Sequence, residues 1–265
     1  MILTHCNNFT IRTLVIENVE YGIQFAQSSH NIVLNCIIKN ASSEGSPLYR
    51  PTGIDLLSSH NNEISNTEIK KFFIGIDYDL SGHNKVANST IIDGVVGIQI
   101  MQSLSNVIYR NIIKNFSHYG IAQYLGSNTI IDGNIISNNR YGIYSDEAVE
   151  STISNNHISS NNEYGIDINR GVSNKVLKNN FIDNKIDAYL YYSKGIWFRN
   201  YWDRPRLLPK RINGTTEFFL FWYLLYENIP YIPIPRPPKI GIPRLYDIDW
   251  FPAKIPYNIQ NNYDV

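Results

Sequence analysis

Cysteine occurs only twice in the 265 residues, so neither a disulfide framework nor a thiolate zinc centre can be assembled. Cys6 and Cys36 fall at different phases of the repeat described below, which argues for two free thiols. A surplus of charge is also missing, because Lys+Arg and Asp+Glu each total 23. A general nucleic-acid binder needs a basic excess to meet phosphates, and that class is excluded. The longest uninterrupted apolar run, residues 218–226, has nine residues. A membrane-crossing helix needs about 20. Methionine is scarce at 2 residues, while Asn reaches 33, Ile 41 and Tyr 19, a bias unlike that of a helical enzyme. An apolar content of 43% argues against wholesale disorder.

Proline divides the chain. Ten of the 12 Pro lie beyond residue 204, and Pro47 and Pro51 sit together before it. Residues 1–193 carry 13 basic and 17 acidic groups, net −4, whereas residues 194–265 carry 10 and 6, net +4. A boundary near Trp202 follows, with repeats over 1–202 and a C-terminal extension over 203–265.

A Gly-Ile pair recurs at Gly22, Gly53, Gly75, Gly97, Gly120, Gly142 and Gly165, with steps of 31, 22, 22, 23, 22 and 23. The long first step contains an insertion with Ser42, Ser43, Gly45, Pro47 and Pro51, and Asp187-Ala188 continues the register. Nine residues after the Gly comes Asn31, Asn62, Asn84, Asn106 or Asn174, with Ser151 once and Asn128 one residue early. Eleven after it comes Val33, Ile64, Val86, Ile108, Ile153, Val176 and finally Phe198. Sixteen after it comes Ile38, Ile69, Ile91, Ile113, Ile136, Ile158 and Phe181. Each repeat therefore holds three short β-branched stretches bounded by turn residues, which read as strands. Three strands per 22–23-residue turn, repeated in phase, describe an all-β, single-stranded parallel β-helix of about eight coils. Inward Ile and Val stack into the core, turn Asn satisfies stacked backbone groups, and the repeated Gly supplies positive φ at a corner.

These motifs, above all Gly165-Ile166-Asp167-Ile168 followed by Asn174-Lys175-Val176-Leu177-Lys178-Asn179-Asn180-Phe181, resemble the right-handed β-helix proteins of the NosD-like, periplasmic copper-binding type. These share the carbohydrate-binding and sugar-hydrolase repeat domain, and the resemblance covers residues 8–202. Asn200-Tyr201-Trp202-Asp203 is similar to the signature that ends such domains. The resemblance implies a pectin-lyase-like solenoid, an extracellular or cell-envelope location and a signal peptide. Met1-Ile2-Leu3-Thr4-His5-Cys6 shows neither a basic start nor a long apolar stretch. Asn8 already stands in the repeat register, so the first coil is incomplete, and its open end can meet another chain.

Two residues after each Gly, facing outward, stand Gln24, Asp55, Asp77, Gln99, Ala122, Tyr144 and Asp167. Amides, carboxylates and a phenol in one row suit sugar hydroxyls and ring stacking, so Gln24, Asp55, Asp77, Gln99, Tyr144 and Asp167 are candidate ligand-binding residues. Asp79, on the same strand face as Asp77, completes a group with Asp55 and Asp77. Such carboxylates can hold Ca²⁺, split their pKa values for acid–base work, or simply form a solvated acidic face. The polygalacturonase signatures (Asn-Thr-Asp, Asp-Asp, Gly-His-Gly, Arg-Ile-Lys) and the paired Asp and His motifs of alginate epimerases do not occur. His30, His60 and His83 occupy similar turns and are candidate copper or zinc ligands, or solvent-exposed turn residues.

In the extension, Trp202, Phe218, Phe219, Phe221, Trp222, Trp250 and Phe251 demand a surface to pack on. The expectation is a cover over the last coil near Phe181 and Phe198 or a strap along one sheet, rather than a docking arm. The chain reads as a non-catalytic envelope or secreted protein that binds a polysaccharide or an envelope protein. The alternatives are a polysaccharide lyase or hydrolase using Asp55, Asp77 and Asp79, and a copper accessory protein. Replacing Ile108 with Asp would bury an unpaired carboxylate, so thermal melting should show a loss of several kcal/mol. A wild-type melting temperature would contradict the assigned register.

Overall fold

The computed structural model describes residues 1–41, 50–205, 208–215, 248–249 and 251–259. Among them every regular element is a strand, and no helix is long and apolar enough to cross a membrane. One face of the solenoid is a stack of nine short parallel strands running from Thr10–Arg12 to Gly195–Phe198. The other faces merge into a sixteen-stranded sheet. Each strand pairs with its equivalent one coil away: Val86 lies opposite Ile64 on one side and Ile108 on the other.

The parallel solenoid expected from the repeat is present, with nine coils rather than about eight. The first coil, with strands Ile2–Thr4, Thr10–Arg12 and Val15–Val19, precedes the first Gly-Ile pair. The last, from Gly195 to Trp202, carries its Gly-Ile pair out of phase, on the nine-strand face, where Gly195 lies opposite Asn174. The two inward rows read from the sequence stack as expected through Ile108 and Ile113, both fully buried. Each such side chain contributes roughly 1.5–3 kcal/mol on burial. Two positions differ. Ile131 fills the gap in the first row, because Thr129 rather than Asn128 takes the ladder place. Trp197, not Phe198, faces inward at its end, 3% exposed against 36%. The cause is register: Val176 pairs with Trp197.

The repeated glycines serve a different purpose from the one expected. Among the described glycines only Gly133 has positive φ, at 70°. At Gly75, a Cβ would strike Ile91 Cγ2 and the Gly97 carbonyl of the next coil. Close approach of backbone to backbone excludes a side chain there. Left-handed corners are taken instead by residues such as Asn35, Asn66, Asn88 and Asn155.

Buried asparagines tie the coils together. The Asn134 amide N–H donates to Asn156 Oδ1 at 2.8 Å, Asn156 N–H to Asn179 Oδ1 at 2.9 Å, and Asn179 N–H to Asn200 Oδ1 at 2.9 Å. Each Nδ2 also bonds a neighbouring acceptor, as Asn156 does to the Ile131 carbonyl at 2.9 Å. A ladder must end on an acceptor that needs no further coil. Asp249 fills that place: it is fully buried and accepts from Arg199 N–H, Asn200 N–H and Trp202 Nε1–H at 3.0, 2.8 and 3.1 Å. Strand Ile248–Asp249 pairs antiparallel with Lys210–Arg211, Phe251 packs on Phe198 at 5.6 Å, and Tyr257 exchanges hydrogen bonds with the Asn180 amide. Phe218, Phe219, Phe221, Trp222 and Trp250 lie outside the described residues, as does most of the insertion, residues 42–49.

Asp249→Ala would orphan several buried donors. Urea unfolding should show a loss of at least about 2 kcal/mol, given roughly 1–3 kcal/mol per unsatisfied buried group. An unchanged midpoint would contradict the terminal role of this carboxylate.

Candidate functional site

Strand pairing fixes which side chains share the outer face of the Gly-Ile strands. Gln24 pairs with Asp55, Asp55 with Asp77 and Asp77 with Gln99. The row continues through Ala122, Tyr144 and Asp167 to Tyr189. The six residues singled out from sequence, Gln24, Asp55, Asp77, Gln99, Tyr144 and Asp167, thus share one line, at a rung spacing of about 4.8 Å.

The first half of the line is acidic. Gln24 Nε2 donates to Asp55 Oδ2 at 2.7 Å, and Gln99 Nε2 donates to both Asp77 oxygens at 3.2 Å. Asp79 stands on the same strand face, between Leu57 and Met101. Burial raises the Asp77 carboxyl to about 7, helped by the negative charges of Asp55 and Asp79 and opposed by the Gln99 hydrogen bond and Arg50. Asp55 is raised as well, by burial first and by Asp79, against the Gln24 hydrogen bond. The arrangement holds one carboxyl that titrates near neutral pH beside others on the same face.

The second half is aromatic. Tyr119, Tyr141 and Tyr164 stand immediately before their glycines and pair in sequence. Their rings meet each other and the row containing Tyr144: Tyr119–Tyr144 at 4.9 Å, Tyr141–Tyr164 stacked at 5.4 Å, Tyr164–Tyr189 at 5.6 Å and Tyr124–Tyr144 at 5.6 Å. Of these tyrosines, the outward row read from the sequence contains only Tyr144. The recurring Tyr-Gly-Ile triplet at Tyr21, Tyr119, Tyr141 and Tyr164 was the signal for the rest. An open cleft of about 430 Å³ adjoins this wall, lined by Tyr144, Asp146, Asn169, Arg170, Tyr191 and Tyr192. Asp167 sits among the phenols, and burial raises its carboxyl to about 6, with Asp146 and Glu163 adding to the effect.

The three histidines do not form one row. His30 and His83 occupy equivalent left-handed corners with Asn61 between them, at φ of 59°, 59° and 56°. His60 falls one position away, where its Nδ1 accepts the Gly82 N–H at 3.0 Å. His30 and His83 are therefore two rungs apart, about 10 Å.

Residues 47–216 match the family described as periplasmic copper-binding protein (NosD). A comparison with curated proteins finds no match. Among solved structures, the periplasmic alginate epimerase AlgG is similar at a TM-score of 0.63 and 14% identity, covering 83% of this chain and 66% of its own. The Streptococcus pneumoniae surface protein and adhesin PfbA follows at 0.58 and 15%, covering 75% and 65%. Pectate lyase Pel9A gives 0.54 and 13%, covering 67% and 53%. The chain spans at most about two thirds of these proteins' own length. At such identities the likeness is one of fold.

Because Asp77 binds its proton more tightly when folded than the ordinary value of 3.8 allows, stability should fall as pH rises from about 4 to about 7. At pH 8, Asp77→Asn should raise the melting temperature by at least about 2 °C, with little effect below about pH 4. Equal melting of both proteins at pH 8 would contradict the buried, crowded setting of this group.

Proposed function

The chain belongs to the NosD family of right-handed parallel β-helix proteins, and from that premise we propose that it is an envelope or secreted protein that binds an extended glycan along the outer face of its Gly-Ile strands. The observation that carries this reading is the tyrosine wall. Rings on successive coils, in contact at 4.9–5.6 Å, stand beside a line of carboxylates and amides. Aromatic faces take the apolar sides of sugar rings, and the polar row takes their hydroxyls. A linear polymer suits a site that repeats along the solenoid axis. Two proteins of similar fold, an alginate epimerase and a pectate lyase, support the same ligand class.

A second reading, catalysis, is favoured by one observation: Asp77, raised to about 7, stands one rung from Asp55. A carboxyl that titrates near neutral pH beside a second carboxyl suits acid–base work on a sugar. If this reading is correct, an activity screen on acidic polysaccharides gives turnover that Asp77→Asn removes.

The family description names copper, so the donors present must be weighed. Copper centres gather imidazole, thiolate or thioether ligands on one metal. Here His60 stands out of the row of His30 and His83. Among the described residues no group of three His, Cys, Asp or Glu is placed to hold a metal. The described residues therefore do not fit a copper centre.

A glycan array followed by calorimetry tests the binding reading. Tyr144→Ala should weaken the selected oligosaccharide by at least about tenfold, or roughly 1.4 kcal/mol, without unfolding the protein. Wild-type affinity in that variant, or no glycan binding at all, would overturn it.

A further inference from the structure

We propose that Asp167 and the tyrosines around it form a subsite for an amino sugar, with the carboxylate receiving the sugar's ammonium group. The inference rests on the glycan reading above and deepens it by naming one recognised unit.

Asp167 is only 8% exposed, and its Oδ1 is buried with no hydrogen-bond partner. A buried carboxylate oxygen without a donor is costly, and its presence calls for a ligand that supplies one. The row places Tyr144 on the preceding coil and Tyr189 on the following one. Tyr164 closes the side, with its ring 5.4 Å from Tyr141 and 5.6 Å from Tyr189. Asp167 is thus a carboxylate flanked by phenols on the rungs before and after it, at the edge of the cleft lined by Tyr144 and Asn169.

The two nearby guanidiniums are engaged elsewhere. Arg170 makes a two-pronged contact with Asp146, at 2.7 and 2.8 Å from the same nitrogen, and reaches Glu147 at 2.6 Å. Arg140 reaches Glu163 at 3.0 Å, and the Tyr141 hydroxyl bonds the same carboxylate. The charges that act on Asp167 are those of Asp146 and Glu163, both negative. Four carboxylates (Asp146, Glu147, Glu163, Asp167) face two guanidiniums and the ammonium of Lys185, which acts on Glu163, so the surroundings of Asp167 are one positive charge short. An ammonium donates to the Asp167 carboxylate, balances the charge and is attracted to tyrosine faces. A neutral hydroxyl would satisfy the oxygen but not the charge. A hard metal ion needs several oxygen ligands, and no such group is assembled here among the described residues.

The test is calorimetry on the full chain with a glucosamine oligosaccharide and its N-acetylated counterpart, which differ only in the amine charge and its acyl cap. The free amine form should bind at least about tenfold more tightly. Asp167→Asn should erase that preference, while Asp183→Asn, on another corner, should keep it. Equal affinity of wild type for the two oligomers overturns the proposal without recourse to any variant. A preference that survives in Asp167→Asn overturns it as well. Binding that needs Tyr144 but ignores the amine would sink this assignment alone. A protein that binds neither oligomer and no glycan on an array would sink the glycan reading with it.

Discussion

A buried amide at the end of a strand must find its acceptor in the neighbouring coil, and this requirement sets the length of every turn. Asn111, Asn134, Asn156, Asn179 and Asn200 form such a chain, each backbone N–H donating to the next side chain at 2.8–2.9 Å. A residue added on the ladder side would leave two buried groups unpaired. Extra residues are therefore absorbed at the outer corner. Between Gly97 and Gly120 the pairing shifts, with Gly94 opposite Phe116 but Val96 opposite Tyr119. Asn139 still meets Asn161 one turn later while Tyr141 meets Tyr164, so the next added residue also falls outside the ladder.

The outer chemistry inherits this spacing. Side chains on one row are held one rung apart, close enough for carboxylates to act on one another and for phenol rings to touch. Asp77 and Asp167 are both raised chiefly by burial. Among the described residues neither makes an ion pair: Arg140 and Arg170, near Asp167, are drawn to Glu163 and Asp146, and Arg50 acts on Asp77 through its charge alone. An acidic segment over the early coils thus passes into a tyrosine segment over the later ones, along a single line parallel to the solenoid axis.

Much of this was legible from the repeat. The position two residues after each Gly identified the outward row because parallel stacking preserves phase. The pair of core rows followed for the same reason. What escaped was whatever depends on one-residue shifts or on contacts distant in sequence. His60 looks equivalent to His30 by its flanking serines, yet the hydrogen-bonded rung places it one step away. Trp197 replaces Phe198 because the last strand begins earlier in its turn. Gln123, buried in a row otherwise held by residues such as Tyr78 and Ile100, is satisfied by Thr129 and Ser151, which no local pattern announces. Asp249 lies 49 residues from the Asn200 amide it accepts from, beyond the reach of any periodicity. The tyrosine wall was visible as Tyr-Gly-Ile, but Tyr141 and Tyr144 are three residues apart, which strand alternation assigns to opposite faces, so the meeting of their rings at 6.1 Å was not.

A crystal structure of the protein with a bound oligosaccharide would decide where the functional face lies. The sugar rings should lie against Tyr144 and Tyr164, following the rungs along the solenoid axis. Density instead on the nine-strand face, or at the end of the solenoid around Asp249, would contradict the assignment of the Gly-Ile sheet as the binding surface.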